Sequence, residues 1–148
     1  MLRRLVLTAA ASLTALGAAA PAAMAVPLPM PLPPLLSAPD SLTVTVADSG
    51  NPSADGTFRL ECGEEPGGNH PAARAACERL EELSTNGRDP FSPVDKNRMC
   101  TQQHGGDATA HITGTWHGRE VDARFARTNG CEIKRWDTLK PVLPLARS

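Results

Sequence analysis

Tyrosine is absent from this chain of 148 residues, and the other large rings amount to three phenylalanines and two tryptophans. A core so poor in aromatics has little apolar area to bury per side chain, so covalent support is expected to carry part of the stability. No basic stripe or run appears, which excludes a nucleic-acid partner. No two cysteines lie two to four residues apart, and no histidine pair has ligand spacing, so no zinc or other metal site is expected. After the N-terminal region, no apolar run is long enough to span a bilayer.

What is present starts with an export-type leader. Arg3 and Arg4 precede an apolar run from Leu5 to Ala20, and Ala23-Met24-Ala25 supplies the small-x-small pattern of a cleavage site. Residues 1–25 therefore read as a signal peptide cut after Ala25. A membrane anchor is the rival, but the strictly apolar stretch is short and Pro21 interrupts it. The leader takes away two arginines and no acids, leaving 13 basic against 16 acidic residues, a formal charge of −3. About 120 residues remain, enough for one domain with one modest core. The expected product is secreted, extracellular and free of the membrane.

Residues 26–40 carry Pro27, Pro29, Pro31, Pro33, Pro34 and Pro39, a pattern that removes backbone donors and favours an extended arm. A spacer explains it better than a ligand for a proline-binding module, since such modules are mainly intracellular. Residues 41–148 form the expected domain, its tail from Asp137 onward loosely held because Pro141 and Pro144 interrupt it.

Within the domain, Ser41–Ala47 and Thr57–Cys62 alternate polar with apolar residues and pair as an antiparallel hairpin across a turn-forming link. His70-Pro71 opens a helix, capped by Asn69 or His70. Ala72, Ala73, Ala76, Cys77, Leu80 and Leu83 lie on one face of it, and Asn86-Gly87 ends it. Residues 87–97 look irregular. His111–Ala126 reads as a second hairpin turning at Gly118, and Cys131-Glu132-Ile133 as a further strand or turn. The fold class is α+β, an antiparallel sheet with one helix over a face.

Four cysteines, at 62, 77, 100 and 131, suit an oxidising compartment. Counting alone leaves three connectivities open. The architecture favours Cys62 with Cys77, joining strand to helix, which leaves Cys100 with Cys131 at the base of a polar loop.

The order of these pieces resembles the Streptomyces subtilisin inhibitor family. The matching stretches are His70-Pro71-Ala72-Ala73, Ala76-Cys77, Met99-Cys100, Thr113-Gly114-Thr115-Trp116-His117-Gly118 and Asn129-Gly130-Cys131-Glu132. The resemblance implies a five-stranded antiparallel sheet, one main and one short helix, and the bridges Cys62–Cys77 and Cys100–Cys131. It also implies a secreted, usually homodimeric inhibitor of serine endopeptidases that needs no cofactor and is not an enzyme. Extracellular proteases of subtilisin type are the partners it points to.

By the same resemblance the reactive loop is Cys100, Thr101, Gln102, Gln103 and His104, with the scissile bond between Gln102 and Gln103. Asn129 is a candidate support beneath the loop, or else a turn residue in Thr128-Asn129-Gly130. The chain departs from the family beyond that bond. Where members carry an aromatic residue and Asp-Pro, it has His104-Gly105-Gly106-Asp107-Ala108, with one extra residue before Trp116. Gly-Gly in place of proline predicts a less preorganised arm. Gln102 lacks the charge that a trypsin-type pocket pairs with, so a broad subtilisin-type pocket suits it better. The alternative is a secreted binding or transglutaminase-substrate protein on the same scaffold with weak or lost inhibition, Gln102 and Gln103 in the second case serving as acyl donors. His70, His104, His111 and His117 read as cap, loop or surface residues, and no catalytic set is nominated.

Overall fold

In the computed structural model the described residues are 40–147, so the leader and nearly all of the proline-rich arm lie outside them. The elements run β1 (Asp40–Ala47), β2 (Gly56–Cys62), β3 (Gly67–Gly68), α1 (Ala73–Thr85), β4 (Thr109–Trp116), β5 (Arg119–Phe125) and α2 (Gly130–Thr138). The strands form one antiparallel sheet in the order β3-β2-β1-β4-β5. The fold class is α+β, with five strands and two helices as the resemblance implies.

Alternation fixes which sheet face is buried. Leu42, Val44 and Val46 of β1, Leu60 of β2, Ile112 and Trp116 of β4, and Val121, Ala123 and Phe125 of β5 all enter one core. A one-residue slip would expose the whole set, so the pairings Leu42↔Leu60 and Val44↔Ile112 are strongly specified. His117-Gly118 makes a two-residue turn between Trp116 and Arg119, with φ of 48° and 72°. That geometry matches the twist of the paired strands.

Helix α1 covers the buried face with Ala76, Cys77, Leu80 and Leu83. Cys62–Cys77 ties β2 to it. Trp116 donates from Nε1 to Ser84 Oγ at 3.0 Å, so its one polar atom is satisfied inside the core. The helix starts later than Pro71, and its N-cap is Ala72 with no side-chain bond. Asn69 instead accepts from the Arg59 N–H. His70 accepts from Ala72 N–H through Nδ1 and reaches Val142 O through Nε2, at 3.2 and 3.0 Å. The imidazole is thus used for tertiary docking as much as for a helix end.

Two further expectations are corrected. The segment around Cys131-Glu132-Ile133 is not a strand or turn but lies in α2, because Asn129 caps it and Glu132 sits in its first turn. The tail beyond Asp137 is not loose. Leu139, Val142 and Leu143 are buried, and Trp136 donates from Nε1 to Pro144 O at 2.9 Å. Here the apolar side chains around the prolines decide the outcome, not the prolines.

Candidate functional site

Between α1 and β4 the chain has no helix or strand from Asn86 to Ala108. Its first part, residues 88–99, is fastened by a side chain of α2. Arg135 donates to Ser92 O at 2.7 Å and to Phe91 O at 3.0 Å, while its guanidinium lies 3.9 Å from the Phe125 ring centroid. The same group donates to Arg124 O at 2.7 Å, joining this segment to β5. Asp89 and Asp95 then make local turns by accepting from Phe91 and Asn97 N–H.

The loop proper leaves this base at Met99, which is 97% exposed. Cys100 is bonded to Cys131 with Cα atoms 5.4 Å apart, and the described residues include no free cysteine. One residue on, Thr101 O accepts from Gly130 N–H at 3.1 Å. The approach is so close that a Cβ at Gly130 would collide with the Thr101 side chain. Gln102, Gln103 and His104 are all exposed. His104 Nε2 lies 3.4 Å from Asp107 Oδ1, in an exposed pair that adds little energy.

The chain is caught again at Gly105. Its N–H donates to Arg127 O and its carbonyl accepts from Arg127 Nε, both at 2.8 Å. Gly105 is buried, and a Cβ there would stand 2.7 Å from Ile133 Cγ1. The expectation of a loose Gly-Gly arm is therefore corrected at Gly105. Glycine is needed for close approach to α2, and the same approach fixes its backbone.

Asn129 does not touch the loop through its carboxamide oxygen, which accepts from Cys131 and Glu132 N–H at 3.0 and 3.1 Å. It orients the start of α2, the element that carries Gly130 and Cys131 to the loop. The structure thus brings Cys100, Thr101, Cys131 and the Asn129-capped helix end together, and leaves Gln102, Gln103 and His104 projecting between two anchors. Sequence reasoning missed Arg127, Gly130 and Ile133 as neighbours of the loop. For Gly130 a faint signal existed, a glycine beside a loop-anchoring cysteine; for Arg127 there was none.

The three histidines outside the loop serve other ends. His70 is buried against Val142 O, while His111 pairs with Asp122 at 2.7 Å and His117 with Glu81 at 3.0 Å. No group of three metal-ligating side chains converges among the described residues.

Comparison with known proteins shows what the chain is similar to. The family model described as subtilisin inhibitor-like matches residues 38–129. A transglutaminase-activating metalloprotease inhibitor from Streptomyces mobaraensis is 31% identical over 102 residues, spanning 67% of this chain and 68% of that protein. A subtilisin inhibitor from Streptomyces violaceus is 31% identical over 103 residues, with shares of 67% and 68%. Among solved structures, Streptomyces caespitosus sermetstatin in complex with Bacillus licheniformis subtilisin matches at 24% identity and a TM-score of 0.43, covering 72% of this chain and 96% of that one. The chain belongs to the subtilisin inhibitor-like family.

Proposed function

We propose that the protein is a secreted inhibitor of subtilisin-type serine endopeptidases, and that it binds them as a substrate does, through residues 100–104. The observation that carries this reading is the pair of anchors: Thr101 held by Gly130, and Gly105 held by Arg127, with three exposed residues between. A segment so held adds main-chain hydrogen bonds in an extended protease cleft and loses little conformational freedom on entering it.

Gln102 fills the primary specificity pocket and Gln103 follows the scissile bond. Cleavage gives no quick release, because the Cys100–Cys131 bridge and the Gly105 anchor hold both new ends in place and favour resealing. The protein acts as a ligand for an enzyme, not as a catalyst itself. A flexible acyl-donor segment, the rival reading, is disfavoured by the two anchors. Export through residues 1–25 and assembly into a homodimer belong to the same proposal. No helix among the described residues is long and apolar enough to cross a membrane.

The test is gel filtration of the purified protein with subtilisin and, separately, with trypsin. A stable complex with subtilisin and a weaker one with trypsin is expected. Rapid loop scission with neither protease retained would sink the reading. Sedimentation of the free protein checks the dimer: a mass of one chain removes it.

A further inference from the structure

We propose that Arg127 is the positioning residue for the arm that follows the scissile bond, a role that rests on the inhibitor reading above. Two independent groups of this residue hold Gly105, one from its main chain and one from its guanidinium. That guanidinium is buried and hard to displace. Its Nη1 lies 3.4 Å from Asp137 Oδ1, and its central carbon lies 5.9 Å from the Trp136 ring centroid. A buried cationic donor makes a stronger bond to a carbonyl than a neutral donor would.

Chain geometry shows why this contact decides the loop's fate. If the Gln102–Gln103 bond is cut, its amine must stay beside the acyl carbon for the bond to reseal. From Gln103 to the Gly105 anchor the chain spans at most about 7 Å. Without that anchor, the next fixed backbone is β4 at Thr109, and the reach grows to about 20 Å. The local concentration of the amine falls steeply with tether length. The arm is stiffened by a non-local contact, between a glycine that can approach α2 and an arginine that meets it.

The test uses Arg127→Met, which keeps much of the stem while removing the donor and charge, and Arg127→Lys, which keeps the charge and one donor. Lys140, 3.1 Å from Asp137, still partners that carboxylate in both variants. Arg127→Met is expected to raise the rate of loop scission by subtilisin at least about tenfold. Amide exchange at Gly105 should accelerate to a similar degree while exchange at Ile112, in the interior strand β4, stays unchanged; Arg127→Lys should recover part of both. Unchanged Gly105 exchange and scission in Arg127→Met would overturn the proposal. So would parallel acceleration at Gly105 and Ile112, which would make Arg127 merely structural. Should Arg127→Met fail to fold, Gly105→Ala displaces the same arm and must show the same selective acceleration, or the proposal falls. If the unmodified protein holds no subtilisin, the inhibitor reading fails, and the exchange comparison still decides whether Arg127 fixes the arm.

Discussion

The carbonyl of Thr101 accepts a hydrogen bond from the Gly130 N–H at 3.1 Å, one residue along from the Cys100–Cys131 bridge on both strands of chain. The loop and the start of α2 are therefore joined twice in succession, once covalently and once by hydrogen bond. Gly130→Ala tests how much that closeness matters. Within a helix the exchange normally gains up to about 1 kcal/mol. Here the added methyl meets the Thr101 side chain, and overpacking costs about 1–3 kcal/mol. The melting temperature should fall and subtilisin binding weaken. A variant that melts higher and binds as well would show that the contact is slack.

Removing the loop bridge should separate stability from inhibition. The closed segment between Cys100 and Cys131 is 31 residues in sequence separation, against 15 for Cys62–Cys77. Chain-entropy arguments give about 3.7 and about 3 kcal/mol respectively, so the two double serine variants should be destabilised to nearly the same extent. Only the Cys100→Ser/Cys131→Ser protein should turn from inhibitor into substrate. Loop scission rates with subtilisin, beside urea unfolding of both variants, provide the check.

Burial lowers the His70 pKa below its ordinary value, with the hydrogen bond to Val142 O opposing the shift. The unfolded chain then takes up a proton first as pH falls. The contribution of His70 is fully present above about pH 6.5 and is lost between that value and its folded pKa. Melting temperature should therefore decline from pH 7.5 toward 5, and His70→Gln should flatten that slope while lowering stability throughout. Asp122, held low by His111, titrates below this window and does not blur it. An unchanged slope in His70→Gln would remove His70 as the cause.

Gln102→Lys should create or strengthen trypsin inhibition. A charged partner in a trypsin-type pocket is worth about 1.5–3 kcal/mol, or roughly a tenfold to hundredfold gain in affinity. Inhibition constants for trypsin measure it. No gain would mean that the scissile bond lies elsewhere in the loop.

Much of the scaffold was legible because it is periodic. Val44, Leu60 and Ile112 sit in alternating runs, and Ala76, Leu80 and Leu83 recur at helical spacing. Helix α2 was hidden by its nine residues and by the strand-like Cys131-Glu132-Ile133, although Asn129 with Glu132 three residues on is a helix-start signature. Strand β3 is two glycines and carries no pattern. The loop's covalent base could be reasoned from the cysteines, whereas its second anchor could not. Gly105 and Arg127 stand 22 residues apart, and a glycine required for close packing looks the same in sequence as one that is flexible.

The most direct measurement is a titration of subtilisin activity with the purified protein, followed over hours. The double-anchored loop predicts a linear loss of activity to a one-to-one endpoint that persists, with slow scission confined to Gln102–Gln103. Activity that never falls, or that returns quickly as the loop is cut, would contradict substrate-like inhibition by this protein.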